Sequence, residues 1–443
     1  MPSLRQAIAL VLCVFSCSVL ASVRTLEWNV TYTTANPDGA HERRVIGVNG
    51  KWPPPTIDLD FGDRLVLTVN NQLDDAVTGL HAHGLFQNGT NYYDGPVGVV
   101  QWYHTFCIES DHSSGIPPSE SLTYNFTVLQ NGTYWIHSHV MGQYPDGLRS
   151  AFIIHNPNEP YTYDDEMVVT FSDWYHKEMP ELTQSFMSLT NPTGGEPIPD
   201  AALMNDHQNG TINFEAGKTY RLRLVNMAAF AMFHFWIEDH DMRVIEVDGV
   251  YTEPYTVTGV VLTTAQRVSV LVTAKNSTTQ NYAMVGAMDT AMFDSVPPNL
   301  NPSIEQLSWP ANEVDVTGWV VYDSNNSNPT PKLLDAFYDW DDTLFVPLEP
   351  EPVLPPDESC QLDVLFGTRG NGKNYAMFNG ISYTPPIVPT LLTVLSAPSN
   401  YSMNPTIYGT YTNPFVLGHN NMVQIVLNNG DTGNHPCIVP FKT

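Results

Sequence analysis

The sequence predicts an all-β protein assembled from repeated domains, and three observations carry that prediction. The 443 residues include 29 Gly and 35 Pro with only 14% charged residues, the composition of many strands joined by turns. Hydrophobic residues reach 42%, enough to bury real cores, and the length allows two or three domains. The third observation is a phrase that occurs three times, a polar turn followed by an apolar-rich strand and then Asn.

Phe61-Gly62-Asp63-Arg64 opens the first copy and leads through Leu65 to Asn71. Glu215-Ala216-Gly217-Lys218 opens the second, which runs from Thr219 to Asn226. Leu417 to Asn421 opens the third, which runs from Met422 to Asn429. Recurrence at domain-sized spacing means duplicated β-domains, not a short-period solenoid. The first domain is expected from Ser22 to Pro157 and the second from Asn158 to Val296. A connector rich in Pro, Asn and Asp is expected from Pro297 to Glu358, stiffest at Pro347 to Pro356. Only half a domain follows, from Ser359 to Thr443.

The N-terminus shows Arg5, an apolar run from Ala7 to Leu20, then Ala21 and Ser22. That pattern predicts a secretory signal over residues 1–21, too short and wrongly flanked for a membrane span. Cys13 and Cys17 would leave with it. Eight sequons, at Asn29, Asn88, Asn125, Asn131, Asn209, Asn276, Asn325 and Asn400, agree with a secreted glycoprotein. Cys107, Cys360 and Cys437 are an odd set and give no disulfide framework. A net charge of −28 excludes nucleic acid as a partner, because no positive field exists to meet phosphates. An acidic surface suits a protein that meets cations, and equally one that must stay soluble in an acidic medium.

Two His-x-His pairs carry the chemistry, His81-Ala82-His83 and His137-Ser138-His139. On a strand, i and i+2 face the same side, roughly 6.6 Å apart. That spacing is wide for two ligands of one ion and suits neighbouring ions. Two such strands side by side would present four imidazoles to a metal cluster of copper, zinc or iron. The bland alternative, two exposed polar strand faces, sits poorly with the surrounding Gly, Trp and Tyr.

The segments His81-Ala82-His83-Gly84-Leu85-Phe86-Gln87 with Asp94-Gly95-Pro96, and Thr133-Tyr134-Trp135-Ile136-His137-Ser138-His139, resemble the first two copper motifs of multicopper oxidases. The resemblance runs over essentially the whole chain after the signal. It implies tandem cupredoxin-like (plastocyanin-like) Greek-key β-sandwiches, the third incomplete, with copper as cofactor. By the same resemblance His81 is a type 2 ligand and His83, His137 and His139 are type 3 ligands. Asp431-Thr432-Gly433-Asn434-His435-Pro436 implies His435 as a type 1 ligand. The family then has a further His-x-His and a His-Cys-His, whereas this sequence reads Cys437 to Thr443. Cys437 lies outside that context, so the 443-residue chain is expected to be inactive.

Asp173-Trp174-Tyr175-His176, Asn191 to Pro199, Phe235 to His240 and Asn374 to Asn379 resemble the iron-oxidising members of that family, the fungal ferroxidases. The resemblance implies Glu196, Asp294, Tyr375 and Asp431 as the residues that meet iron. Hard carboxylate oxygens favour the ferric state and so drive electron loss. Fe(II) and dioxygen are then the implied substrates and an iron permease the implied partner. Such relatives are held at the plasma membrane by a C-terminal span, whereas this chain's own residues support soluble secretion. Two other readings are a laccase acting on phenols and a non-catalytic copper-binding glycoprotein.

Two stretches depart from the pattern. Trp102 to Ser114 stands where the family reads Gln-Cys-Gly-Ile-Pro-Pro, and Trp-Tyr must be encoded with a donor-like GTAY. Cys437-Ile438 can likewise begin T-GTATA. Two short introns translated as protein are expected at these places.

Overall fold

The computed structural model describes residues 21–101, 115–290, 293, 315–331, 340–431, 433 and 435. The candidate signal up to Leu20, the Trp102–Ser114 stretch, Asp294 and the tail from Pro436 lie outside the described residues. The fold is all-β and arranged as successive cupredoxin-like sandwiches.

Among the described residues the first unit has eight strands: β1 (Val23–Ala35), β2 (Arg43–Val48), β3 (Ile57–Asp60), β4 (Arg64–Asn71), β5 (Leu80–His83), β6 (Ser121–Thr127), β7 (Gly132–Ser138) and β8 (Arg149–His155). They form two sheets, ordered β2-β1-β4-β6 and β3-β8-β7-β5. β4 alternates strictly, with Leu65, Leu67 and Val69 buried and Thr68 and Asn70 turned outward. Burying each of those aliphatic side chains contributes roughly 1.5–3 kcal/mol. Trp28, Phe126, Ile136 and Phe152 fill the space between the sheets.

The second unit repeats the plan with β9 (Asp165–Trp174), β10 (Ala201–Met204), β11 (Thr211–Asn213), β12 (Thr219–Asn226), β13 (Phe233–Ile237), β14 (Met242–Val247), β15 (Val250–Val257), β16 (Val260–Leu262), β17 (Arg267–Thr273), β18 (Tyr282–Met288) and β19 (Asp315–Val321). Its sheets run β10-β9-β12-β17-β14-β15 and β11-β19-β18-β13-β16. A short helix, α1 (Met179–Phe186), follows β9. Among the described residues the third unit forms one sheet, β21-β20-β22, of β20 (Glu358–Thr368), β21 (Asn374–Phe378) and β22 (Val423–Asn429).

The threefold phrase is threefold in structure too. Each motif strand pairs in parallel with the first strand of its unit, β4 on β1, β12 on β9 and β22 on β20. The closing Asn repeats its hydrogen bonds. Asn71 donates to the carbonyls of Ala76 and Ile116 and accepts from the Leu73 amide. Asn226 donates to the Ala231 and Leu262 carbonyls and accepts from Ala228. Asn429 donates to the Gly433 carbonyl and accepts from Asp431. An amide that both donates and accepts pins the loop leaving each strand.

The expected connector differs from the structure in one respect. β19 lies inside residues 297–358 yet pairs antiparallel with β18 and parallel with β11, as part of the second unit's sheet. Its apolar residues Val316 and Val320 are buried there, a demand that outweighs the polar composition on either side of it. Further along, Trp340 and Phe345 pack on the same core.

Candidate metal centre

β5 and β7 pair antiparallel with His81 directly opposite His137. Because side chains alternate, His83 and His139 fall on the same face as that pair. The four rings form one cluster, with centroids 5.4 Å apart for His81–His83 and His81–His137, 5.5 Å for His81–His139, 5.6 Å for His83–His137 and 5.8 Å for His137–His139. One ligand nitrogen from each of His81, His83 and His137 lies within 4.8 Å of the others.

The tautomers follow from the neighbours. His81 Nδ1 is 2.7 Å from the Asp94 carbonyl oxygen, so it carries the proton and leaves Nε2 with a lone pair. His137 Nδ1 likewise donates to the Ser138 carbonyl at 2.9 Å. The freed His137 Nε2 stands 3.3 Å from His83 Nδ1. Burial, reinforced by the adjoining imidazoles, holds His83 and His137 well below the ordinary histidine value, so both are neutral near pH 7. Neutral imidazoles aiming lone pairs at one small space fit a metal ion such as copper, zinc or iron. Trp135 stacks on both His83 and His137, at 5.1 and 4.0 Å, and fixes their planes.

Asp94 owes its place to Gly95, which has φ +95°, and a Cβ there would sit 1.8 Å from the Leu80 carbonyl oxygen. β7 is buried along its whole length and anchored by the second unit. The Thr133 amide donates to Glu246 Oε1 at 2.7 Å, and Arg223 Nη1 donates to Thr133 Oγ1 at 3.0 Å. Arg267 Nε donates to the Thr133 carbonyl at 3.0 Å. Arg221 pairs with Glu246, and both are essentially buried. Trp135, Ile153, Val225 and Met227 seal the same junction.

The second constellation gathers at the C-terminal end of β20. His435 stacks on Phe366, with ring centroids 4.8 Å apart, and its Nε2 lies 2.8 Å from Asp431 Oδ2. Phe366 pairs with Ala376 and Gly367 with Tyr375, so Tyr375 belongs to that same end. Asn374 Nδ2 donates to the Thr193 carbonyl at 2.8 Å, which docks the loop carrying Glu196 against the β20–β21 turn. Arg369 lies over the Tyr375 ring at 4.8 Å. Asp294 lies outside the described residues. This grouping and the histidine cluster are built on different units.

Three family models described as multicopper oxidase match residues 29–159, 165–303 and 383–437, well over half of the chain. The chain belongs to the multicopper oxidase family. Similar members include the iron transport multicopper oxidase fetC of Epichloe festucae, 48% identical over 94% of this chain and 64% of that protein. Another is fio1 of Schizosaccharomyces pombe, also an iron transport multicopper oxidase, 43% identical over 94% and 64%. The chain thus spans less than two thirds of the length of these relatives. Among solved structures, Fet3p, described as a multicopper oxidase that functions in iron import, superposes with TM-score 0.85 at 40% identity, covering 93% of this chain and 74% of that one. The laccase of Botrytis aclada gives 0.71 at 28% identity, covering 86% and 69%.

Within this multicopper oxidase chain, sequence reasoning missed the supporting residues. Asp94 stood in a quoted motif without a role. Glu246, Arg221 and Arg223 gave no signal, because a buried ion network leaves no local spacing to read.

Proposed function

We propose that the protein to which these residues belong oxidises Fe(II) to Fe(III) and passes the electrons to dioxygen, reducing it to water by four electrons. The observation that carries this reading is the convergence of Glu196's loop, Tyr375, Asp431 and His435 at one end of the third sheet. The printed names of the similar iron transport oxidases support it. In this reading Glu196, Asp294 and Asp431 offer carboxylate oxygens to iron and Tyr375 lines the same side. Asp431 places the iron beside His435, where electrons enter. His81 serves a type 2 ion, His83, His137 and His139 serve type 3 ions, and His435 serves a type 1 ion. Copper at these positions supplies one-electron redox steps that link iron to dioxygen.

The chain's own residues do the positioning. The Asp94 and Ser138 carbonyls hold the imidazole protons away from the cluster, and burial keeps the rings neutral. The protein enters the secretory pathway, works outside the cell or at its surface, and hands Fe(III) to an iron permease. No helix among the described residues is long and apolar enough to cross a membrane.

Anaerobic titration of the copper-loaded chain with Fe(II) tests the reading without requiring turnover. Glu196→Ala with Asp431→Ala should weaken iron binding at least about tenfold, the scale of losing charged ligands. Unchanged binding would overturn the iron assignment. The second reading, a phenol-oxidising laccase, rests on the likeness to the Botrytis aclada laccase. Phenol binding by the copper-loaded chain that survives in the double variant, while iron binding is unaltered, would favour it.

A further inference from the structure

Outside both constellations, a second group of imidazoles and carboxylates sits at the junction of the first two units. The loop between β1 and β2 contributes Asp38 and His41, and the residues bounding the β9–β10 pairing contribute His176 and Asp200. His176 Nε2 lies 2.6 Å from Asp38 Oδ2, and the Asp38 side chain is only 4% exposed. On the other ring edge, His176 Nδ1 lies 3.8 Å from Asp200 Oδ1. The ladder fixes this arrangement, since the His176 amide donates to Asp200 Oδ2 at 2.7 Å and the Asp200 amide to the Trp174 carbonyl at 2.8 Å. The His41 ring stands 5.3 Å from that of His176, close to the 5.4–5.8 Å ring spacings in the histidine cluster.

The charge balance is incomplete as it stands. Two carboxylates flank one imidazole, and among the described residues no lysine or arginine lies within ion-pair distance of either. His41 is exposed and makes no hydrogen bond or ion pair among the described residues, so its ring is free to turn a nitrogen toward the pair. Two imidazoles with a carboxylate form a borderline N/O donor set that suits divalent first-row cations. Asp200 orients His176 through its backbone, since Oδ2 accepts from the His176 amide.

We propose that Asp38, His41 and His176 form a binding site for a divalent first-row cation, with Asp200 orienting His176. The site clasps the two units, so a bound ion stiffens their junction. It does not depend on the oxidase reading.

The probe is Zn(II), titrated calorimetrically into the full chain. His41→Ala changes only an exposed side chain and leaves the fold intact. It should remove one zinc equivalent or weaken that equivalent at least about tenfold, and Asp200→Ala, which frees the His176 amide, should weaken it as well. His137→Ala should leave this equivalent in place while altering the cluster's. Parental stoichiometry and affinity in His41→Ala would overturn the proposal. So would a titration in which His137→Ala alone abolishes all zinc uptake, since every ion would then sit in the cluster.

Discussion

The histidine cluster and the carboxylate grouping are held in opposite ways. His81 and His137 sit on paired strands inside a closed two-sheet unit, and β7 is buried at every position. Asp431 and His435 follow an exposed strand, since in β22 Ile425, Val426 and Leu427 are each more than a third exposed. Glu196 arrives on a loop from another unit. A cluster that must aim several lone pairs at small ions needs rotamers locked by packing and second contacts. A site that admits and releases a substrate ion can be assembled from surface loops. Under the proposed iron assignment, the contrast separates what is preorganised from what exchanges.

The hardest way to break the rigid side is Gly95→Ala. The added Cβ meets the Leu80 carbonyl oxygen at 1.8 Å, and φ is +95°. The strain should cost at least ~3 kcal/mol and displace β5, from the sum of overpacking and an unfavourable backbone. Urea unfolding should show it together with lost copper uptake. Normal stability would mean that Asp94 and His81 are not locked by this turn.

Glu246→Gln attacks the same side from the second unit. It removes the fully buried carboxylate between Arg221 and Arg223, although Arg221 keeps Glu159 at 2.8 Å and Arg223 keeps Glu166 at 2.9 Å, so the cost should be about 1–3 kcal/mol. The pH dependence has a definite sign. Burial alone would raise the Glu246 carboxyl, but Arg221 and Arg223 outweigh it and hold the group below its ordinary value. Its stabilisation is thus fully present above the unfolded value of about 4.3 and is lost as pH falls through the lower folded one. Unfolding midpoints measured from pH 6 down to 3 should fall less steeply in the variant. Parallel curves would show that this carboxylate is not ionised in the fold.

His137→Ala comes next in size for the fold and is largest for the metal. It removes a nitrogen shared by the cluster, so copper uptake by elemental analysis should drop by at least one ion per chain. An unchanged copper content would end the cluster assignment.

How much of this could be read beforehand depends on the kind of contact. The His-x-His pairs were legible because a period of two puts both rings on one face whatever the rest of the chain does. The strands Arg64–Asn71 and Thr219–Asn226 were legible from turn, apolar run and Asn. Their parallel pairing with β1 and β9 was not, since register between strands far apart in sequence leaves no local trace. β19 was lost inside a polar stretch whose composition reads as linker. The link from Thr133 to Glu246 joins residues 113 positions apart, and His41 with His176 likewise meets only in three dimensions.

The smallest expected stability effect sharpens the contrast from the other side. Asp431 is exposed, and its side chain accepts from the Gly433 amide at 3.1 Å beside His435. Replacing it with Ala removes exposed local contacts such as these, each worth less than about 1 kcal/mol. The urea midpoint should therefore move by no more than about 0.5–1 kcal/mol equivalent, within the range of ordinary surface changes. Under the proposed iron assignment, iron affinity should nevertheless fall, because the substitution removes a proposed ligand oxygen. A stability loss near that of Glu246→Gln would show that this end of the third sheet is held as rigidly as the histidine cluster, and the division between preorganised and exchanging sites would fail.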